Sequence, residues 1–153
     1  MVNPAYLDGL KMLARRELSE AQIRQRLARK QHDPDQVDDA VARLRTERAI
    51  DDVRVAEAIA RTETSIRRRG RLRVRMQIER AGISKAVARR AIDDVFSAID
   101  DDALMDAALN KRLRGRPEIA DDREFQRLYR FLIAQGFESD RVLRRLKGLS
   151  RKS

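Results

Sequence analysis

Apolar side chains recur three and four residues apart along nearly the whole chain, a spacing that predicts amphipathic helices and no strands. Short polar segments containing Gly, Pro, Ser or Asp separate these apolar runs. The clearest helix starts are Asn3-Pro4 and Asp33-Pro34, where a capping side chain precedes a proline. Between them, Ser19 opens a capping-box sequence. We therefore expect three short helices in the first third of the chain.

The same order of apolar residues and helix breaks occurs three times. The matched positions are Ile23, Leu27 and Gln31; Val74, Ile78 and Gly82; and Leu128, Leu132 and Gly136. The first set precedes the second by 51 residues (78 − 27), and the third follows it by 54 (132 − 78). A period of about 50 residues with fixed internal spacing is typical of stacked helical repeats. The pattern predicts an all-α fold of three tandem three-helix repeats, at 1–49, 50–99 and 100–153, forming one elongated, curved array.

The periodicity also predicts which side chains face inward. In the second repeat we expect Val55, Ile59 and Ile66, then Leu72 or Val74, then Val87, Ala91 and Val95. In the third repeat we expect Leu104, Met105, Ala108 and Leu109, followed by a last helix that Ser139 caps and that buries Val142 and Leu146.

The charge of the chain narrows the class of partner. Lys and Arg total 35 against 25 Asp and Glu, which gives a formal net charge of +10. This balance indicates a polyanionic partner, and a soluble protein with a merely basic surface is the alternative. The absence of Cys excludes disulfides and thiolate metal sites. The chain has no apolar run of membrane-spanning length and no signal-peptide pattern at its start, so we expect a cytoplasmic protein without a membrane partner.

The strongest candidate for partner binding is a basic run near the middle of the chain. It contains Arg67, Arg68, Arg69, Arg71, Arg73 and Arg75 and no acidic residue. Guanidinium groups bind phosphates bidentately and also pair with carboxylates, so the run predicts contact with DNA or with an acidic protein surface. A solvated face is the alternative interpretation. Aromatic side chains are missing nearby, so stacking on single-stranded bases is not predicted.

Two smaller basic groups extend the candidate site. Arg114 and Arg116 flank Gly115 at a predicted helix break, and Arg144 and Arg145 lie near the end of the chain. Cations near a helix C-terminus also stabilise the helix dipole, so a stabilising role is the alternative for the last pair.

Acidic clusters at the predicted helix starts are explained by capping rather than by a metal ion. These clusters are Asp51-Asp52, Asp100 to Asp102, and Asp121-Asp122. The one histidine, His32, lies at a helix junction where we expect a packing role. The sequence has neither a nucleophile–base pattern nor a Gly-rich phosphate loop, so we predict no enzymatic activity and no cofactor.

Four further features occur in a fixed order along the chain. They are Ile50-Asp51-Asp52 ahead of a helix, Gly70, Ala81-Gly82-Ile83, and Arg127-Leu-Tyr-Arg-Phe-Leu-Ile-Ala-Gln-Gly-Phe137. Their order and spacing, from Leu10 to Leu146, resemble the RecX family of recombination regulators. The chain departs from the family pattern at Val55, where an aromatic residue is usual, and at Gln31, where the later repeats have glycine.

The resemblance implies a partner and an activity. Members of that family fold as three three-helix repeats, engage the RecA recombinase filament and restrain it, and some are reported to contact DNA. It therefore implies a non-enzymatic, monomeric regulator of homologous recombination, DNA repair and the SOS response. Such a regulator binds a RecA-type filament on DNA and inhibits its ATPase and strand-exchange activities. A general DNA-backbone-binding helical protein and a scaffold for acidic proteins are the alternatives.

Overall fold

The computed structural model describes residues 2–150, which form nine α-helices and no strand. The helices are α1 (Pro4–Arg15), α2 (Glu20–Arg29), α3 (Pro34–Thr46), α4 (Asp52–Ser65), α5 (Arg71–Arg80), α6 (Lys85–Phe96), α7 (Asp101–Leu113), α8 (Asp122–Ala134) and α9 (Ser139–Leu149). One isolated bridge joins Ile119 to Ser150. Among these helices, none is long and apolar enough to cross a membrane. The prediction of an all-α array of three-helix repeats is confirmed.

Most predicted helix starts carry the expected caps. The Asn3 side chain accepts a hydrogen bond from the Ala5 amide, and Ser19 and Gln22 complete both halves of the capping box on α2. Asp100 caps α7 in the same way, by accepting from two backbone amides. The prediction for Ser139 is wrong. α9 begins at this residue, and the N-cap position before it has no side-chain cap hydrogen bond.

The three matched helix breaks share one backbone conformation. Gln31, Gly82 and Gly136 all have positive φ, at 63°, 79° and 98°. After the first break the His32 amide donates to the Leu27 carbonyl at 3.3 Å. After the third, the amide of the equivalent residue donates to the equivalent carbonyl at 3.2 Å. Gln31 therefore adopts the left-handed conformation that glycine adopts in the later repeats.

The chain divides into two compact units, and the first comprises the residues up to Ala58 together with Ile78–Ala91. Its principal hydrophobic cluster consists of Ala5, Tyr6, Leu18, Ile23, Leu27, Val37, Ala40, Val41, Leu44 and Ile50. The buried Ser19 hydroxyl donates to the Ala81 carbonyl. The Asp52 carboxylate accepts from the Glu20 amide at 2.9 Å, so this acid satisfies a backbone donor at the start of α2.

The second unit comprises Ile59–Gln77 and the chain from Ile92 onward. Its cluster consists of Met105, Ala108, Leu109, Leu113, Ile119, Leu128, Leu132, Phe137, Val142 and Leu146. Most of the inward positions predicted for the third repeat are therefore buried, while Leu104 is partly buried against the cluster.

Four of the inward positions predicted for the second repeat are less buried than expected, and one of them, Ile59 on α4, is half-buried. Ile66 is 69% exposed because α4 ends one residue before it, so the prediction that it lines the inner face is wrong. Of the two candidates in α5, Val74 is fully buried and Leu72 is 41% exposed. In α6, Val87 and Val95 are half-buried, and Ala91 is the fully buried member of the predicted set.

Candidate functional site

The central arginines lie on a short link and on the first turns of α5, and backbone hydrogen bonds fix that link in place. The Arg69 amide donates to the Glu63 carbonyl at 3.0 Å, and the Gly70 amide donates to the Gln135 carbonyl at 2.8 Å. The Gln135 side chain in turn donates to the Arg67 carbonyl at 2.9 Å. These bonds hold Arg68 in the left-handed region, at a φ of 52°, which a non-glycine residue rarely adopts without support.

A close backbone approach fixes the start of α5. The Leu72 amide donates to the Gly136 carbonyl at 3.1 Å. A Cβ atom on Gly136 would lie 2.3 Å from the backbone nitrogen of Arg73. A Cβ on Gly70 would lie 2.6 Å from the carbonyl oxygen of Gly136. Both positions therefore require glycine, and the arginine-bearing segment has little freedom to shift along the α8–α9 turn.

Two central arginines are occupied by partners within the protein. The Arg69 guanidinium donates to the buried Glu63 carboxylate at 2.8 Å. Arg71 pairs with Asp101 at 3.3 Å and lies 4.7 Å from the centre of the Phe96 ring. A charge-assisted hydrogen bond and a cation–π contact stabilise the fold directly. The first role of these two side chains is therefore to stabilise the fold of the unit that contains them.

The two outer basic groups each contain one paired arginine. Arg116 donates through both terminal nitrogens to the buried Glu124 carboxylate, at 2.9 Å for the Nη1 atom. These hydrogen bonds, with a further one from the Ala120 amide, lower the pKa of Glu124 to about 2. Arg145 likewise donates through two nitrogens to Asp106, at 2.6 and 3.2 Å.

The remaining predicted arginines are available to a partner. Within residues 2–150, no acidic side chain pairs with Arg68, Arg73, Arg75, Arg114 or Arg144. Arg67 is exposed and reaches Glu63 only at 4.0 Å. Arg73 differs from the others, because the Gln77 amide oxygen accepts from its Nε atom at 3.2 Å in the amide orientation that satisfies both groups, so this guanidinium has a neutral partner.

Exposed apolar side chains interleave with the free central arginines. Ile66 is 69% exposed, and Leu72 and Met76 are each 41% exposed. On α5, Leu72, Arg75 and Met76 share one helical face, because residues three and four apart are neighbours on a helix. We call residues 66–76, with these apolar and arginine side chains, the central segment. Arginine beside exposed apolar side chains is typical of the centre of protein–protein interfaces.

The residue-by-residue prediction missed a second basic surface, on α1 and α2. A cleft of about 510 Å³ is lined by Asp8, Lys11, Met12, Arg15, Arg16, Arg26, Arg29 and Lys30, and we call it the basic cleft. The signal for it is the helical spacing of its cations, from Lys11 to Arg15 and from Arg26 to Lys30. The sequence does not show that the two helices bring these cations together.

Comparison with known proteins finds similarity to one family. A family model described as "RecX, first three-helix domain" matches residues 5–44. The protein named "Regulatory protein RecX" from Syntrophotalea carbinolica is 31% identical over 136 residues, which cover 88% of this chain and 89% of the relative. The protein of the same name from Halorhodospira halophila is 34% identical over 135 residues, which cover 88% of this chain and 81% of the relative.

Solved structures with similar folds carry the same description. A crystal structure of RecX from Lactobacillus salivarius superposes with a TM-score of 0.76 at 16% identity, covering 95% of this chain and 94% of that one. A second, described as regulatory protein RecX, has a TM-score of 0.74 at 24% identity and covers 94% of this chain and 70% of that one. At these identities the likeness is one of fold.

Proposed function

This chain belongs to the RecX family of regulatory proteins, and we propose that it binds a RecA-type recombinase filament on DNA and inhibits the filament's ATPase and strand-exchange activities. The proposal is for a non-enzymatic regulator that acts by binding alone. The observation that supports it most directly is on α5 of the central segment, where Arg75, which pairs with no acid within residues 2–150, shares a helical face with the exposed Leu72 and Met76.

The apolar side chains favour a protein partner over free DNA. A phosphate backbone is bound by cations and hydrogen-bond donors. Binding to such a backbone does not explain why the apolar side chains of Leu72 and Met76 are exposed to solvent. A protein surface covers such side chains on binding, and their burial then contributes to affinity. Arg75 on the same face, and Arg68 on the preceding link, complement a partner surface that is acidic or carries bound phosphates.

The central segment is also held in place before a partner arrives. Its link is hydrogen-bonded to the backbone and side chain of Gln135, and the close approach at Gly136 fixes the start of α5. A surface fixed in advance loses less conformational entropy on binding than a mobile loop does. This rigidity supports a role for the segment as a docking surface.

The test adds the protein to a preformed RecA–single-stranded DNA filament and follows ATP hydrolysis. We expect the unaltered chain to inhibit hydrolysis, and Leu72→Ser with Met76→Ser to raise the half-inhibitory concentration about tenfold or more, as for the centre of an interface. The matched control is Leu7→Ser with Leu10→Ser, which removes apolar side chains of similar exposure from α1. This control should inhibit as the unaltered chain does.

A charge variant separates the filament from free DNA. Arg68→Glu with Arg75→Glu should weaken inhibition, whereas Arg89→Glu with Arg90→Glu, at exposed positions on α6, should change it little. If the serine pair on α5 leaves inhibition intact while the Arg68/Arg75 pair reduces free-DNA and filament binding equally, the general DNA-backbone-binding alternative is correct. No inhibition by the unaltered chain at saturation would refute the proposal itself.

A further inference from the structure

The basic cleft gathers cations from the C-terminal parts of two helices onto one concave surface. On α1, Asp8, Lys11 and Arg15 follow each other at spacings of three and four residues, so they share a face. Arg16 follows as the C-cap residue of that helix in extended conformation. From α2 the cleft receives Arg26, Arg29 and the C-cap residue Lys30.

The charge in the basic cleft is almost entirely of one sign. In the part of the chain that the structure describes, six cations and one carboxylate line it, and that carboxylate, Asp8, already contacts His32 at 2.6 Å and Lys30 at 4.0 Å. No acid within residues 2–150 pairs with Arg15, Arg16 or Arg29. Like charges around one concave surface repel each other and raise the local concentration of anions.

Helix stabilisation explains only part of this arrangement. The negative end of the helix dipole attracts cations near each C-terminus, which accounts for Arg15 on α1 and for Arg26 and Arg29 on α2. It does not require that Lys11, one turn earlier on α1, face the same cleft, nor that the two helix ends line one cleft together. A common anionic ligand does account for it.

We propose that the basic cleft binds consecutive phosphate groups of a nucleic-acid backbone. Guanidinium groups match the geometry of phosphate oxygens, and several of them on one surface match a chain that carries a charge on every unit. Among residues 2–150, Met12 is the one apolar side chain that lines the cleft, and no aromatic side chain lines it on which a base could stack. The cleft is therefore suited to the backbone and not to bases or to an apolar peptide side chain.

This inference does not depend on a recombinase. It places a nucleic-acid contact in the first three-helix repeat, on residues other than those of the central segment. One surface would then hold phosphates while the other meets protein. The two proposals can fail separately, because binding to an oligonucleotide alone is measured without filament protein.

The experiment measures binding of a fluorescent oligothymidylate of about 20 nucleotides, longer than the roughly 4–16 that one small nucleic-acid-binding domain covers. The variant is Arg15→Gln, Arg16→Gln, Arg29→Gln, and the matched control is Arg80→Gln, Arg89→Gln, Arg90→Gln, also at exposed positions. We expect the cleft variant to bind roughly ten- to fifty-fold more weakly near physiological salt, with a salt-dependence slope smaller by about 2. The control lowers net charge equally and should bind nearly as the unaltered chain does.

Lysine labelling gives a second readout that needs no variant. The oligonucleotide should protect Lys11 and Lys30 from acetylation and leave the exposed Lys85 on α6 reactive. Inorganic pyrophosphate in its place should give weaker protection, because it offers fewer charges. Equal weakening in both triple variants, together with unprotected Lys11, would overturn the proposal and leave only a general effect of net charge. Protection by pyrophosphate as strong as by the oligonucleotide would show a site for small phosphates instead of a backbone.

Discussion

At the scale of single residues, an arginine that pairs with a nearby carboxylate stabilises the fold, whereas an arginine without such a neighbour is available to a binding partner. Arg116 and Glu124 form the clearest case of the first kind. The Glu124 side chain is nearly buried, and it accepts both from the guanidinium and from the Ala120 amide. Hydrogen bonds to the charged carboxylate stabilise it relative to the protonated form, which is why its pKa falls to about 2.

Glu124→Gln should destabilise the second unit by about 1–3 kcal/mol at neutral pH, since it removes charge-assisted hydrogen bonds. The pKa of Glu124 is lowered in the folded state from its ordinary value of 4.5 to about 2. Its contribution to stability is therefore complete above pH 4.5 and disappears as the pH falls toward 2. Urea unfolding of the unaltered protein and of the Glu124→Gln variant between pH 7 and 2 measures this contribution. A difference in stability that does not shrink with acidification would contradict it.

The sequence predicted a set of candidate binding arginines but not which of them lack an acidic partner. Arg71 pairs with Asp101, 30 residues away, and Arg145 with Asp106, 39 residues away. Such pairs depend on how helices pack, and helical periodicity carries no information about them. The basic cleft was missed for the same reason, because its cations come from two helices.

At the scale of elements, helix starts and breaks were predictable because their signals are local. Ser19 with Gln22, and Asp33 ahead of a proline, cap helices that begin where the sequence indicates. Ile66 was misplaced because its spacing continues the apolar stripe of α4, while the helix itself ends at Ser65. The link that follows α4 is held by hydrogen bonds to Gln135, which lies far along the chain, and such contacts cannot be predicted from local spacing.

Gly136→Ala should lower the free energy of unfolding by several kcal/mol and also weaken inhibition of the filament's ATPase activity. Gly136 has a φ of +98°, and its new Cβ would meet the Arg73 backbone at 2.3 Å, so α5 must shift. Gly115→Ala is the matched control, because Gly115 also has positive φ, at +80°, with no atom within 4 Å of the added Cβ. It should cost only about 1–2 kcal/mol of backbone strain. Thermal unfolding and the ATPase assay check both variants, and equal losses in the two would show that the close approach is unimportant.

At the scale of the whole molecule, the hydrophobic side chains form separate clusters. Leu27 lies in the cluster of the first unit and Leu132 in that of the second, and both are fully buried. They occupy equivalent positions in two repeats. In repeat proteins, stability is close to a sum of terms for single repeats and for contacts between neighbours. We propose that the repeats at 1–49 and 100–153 open as distinct units.

Leu27→Ala and Leu132→Ala should therefore lower the free energy of unfolding by similar amounts but loosen different repeats. Each removes a fully buried leucine side chain, which costs about 2–5 kcal/mol. Native-state hydrogen exchange should accelerate about tenfold or more in residues 5–50 for the first variant and in residues 105–146 for the second, because local opening is governed by the cluster that was weakened. Leu7→Ala, at a position 45% exposed, is the control and should change exchange little. Acceleration spread evenly over residues 2–150 in both leucine variants would instead show one cooperative unit, in which a partner bound at any repeat would protect all of them.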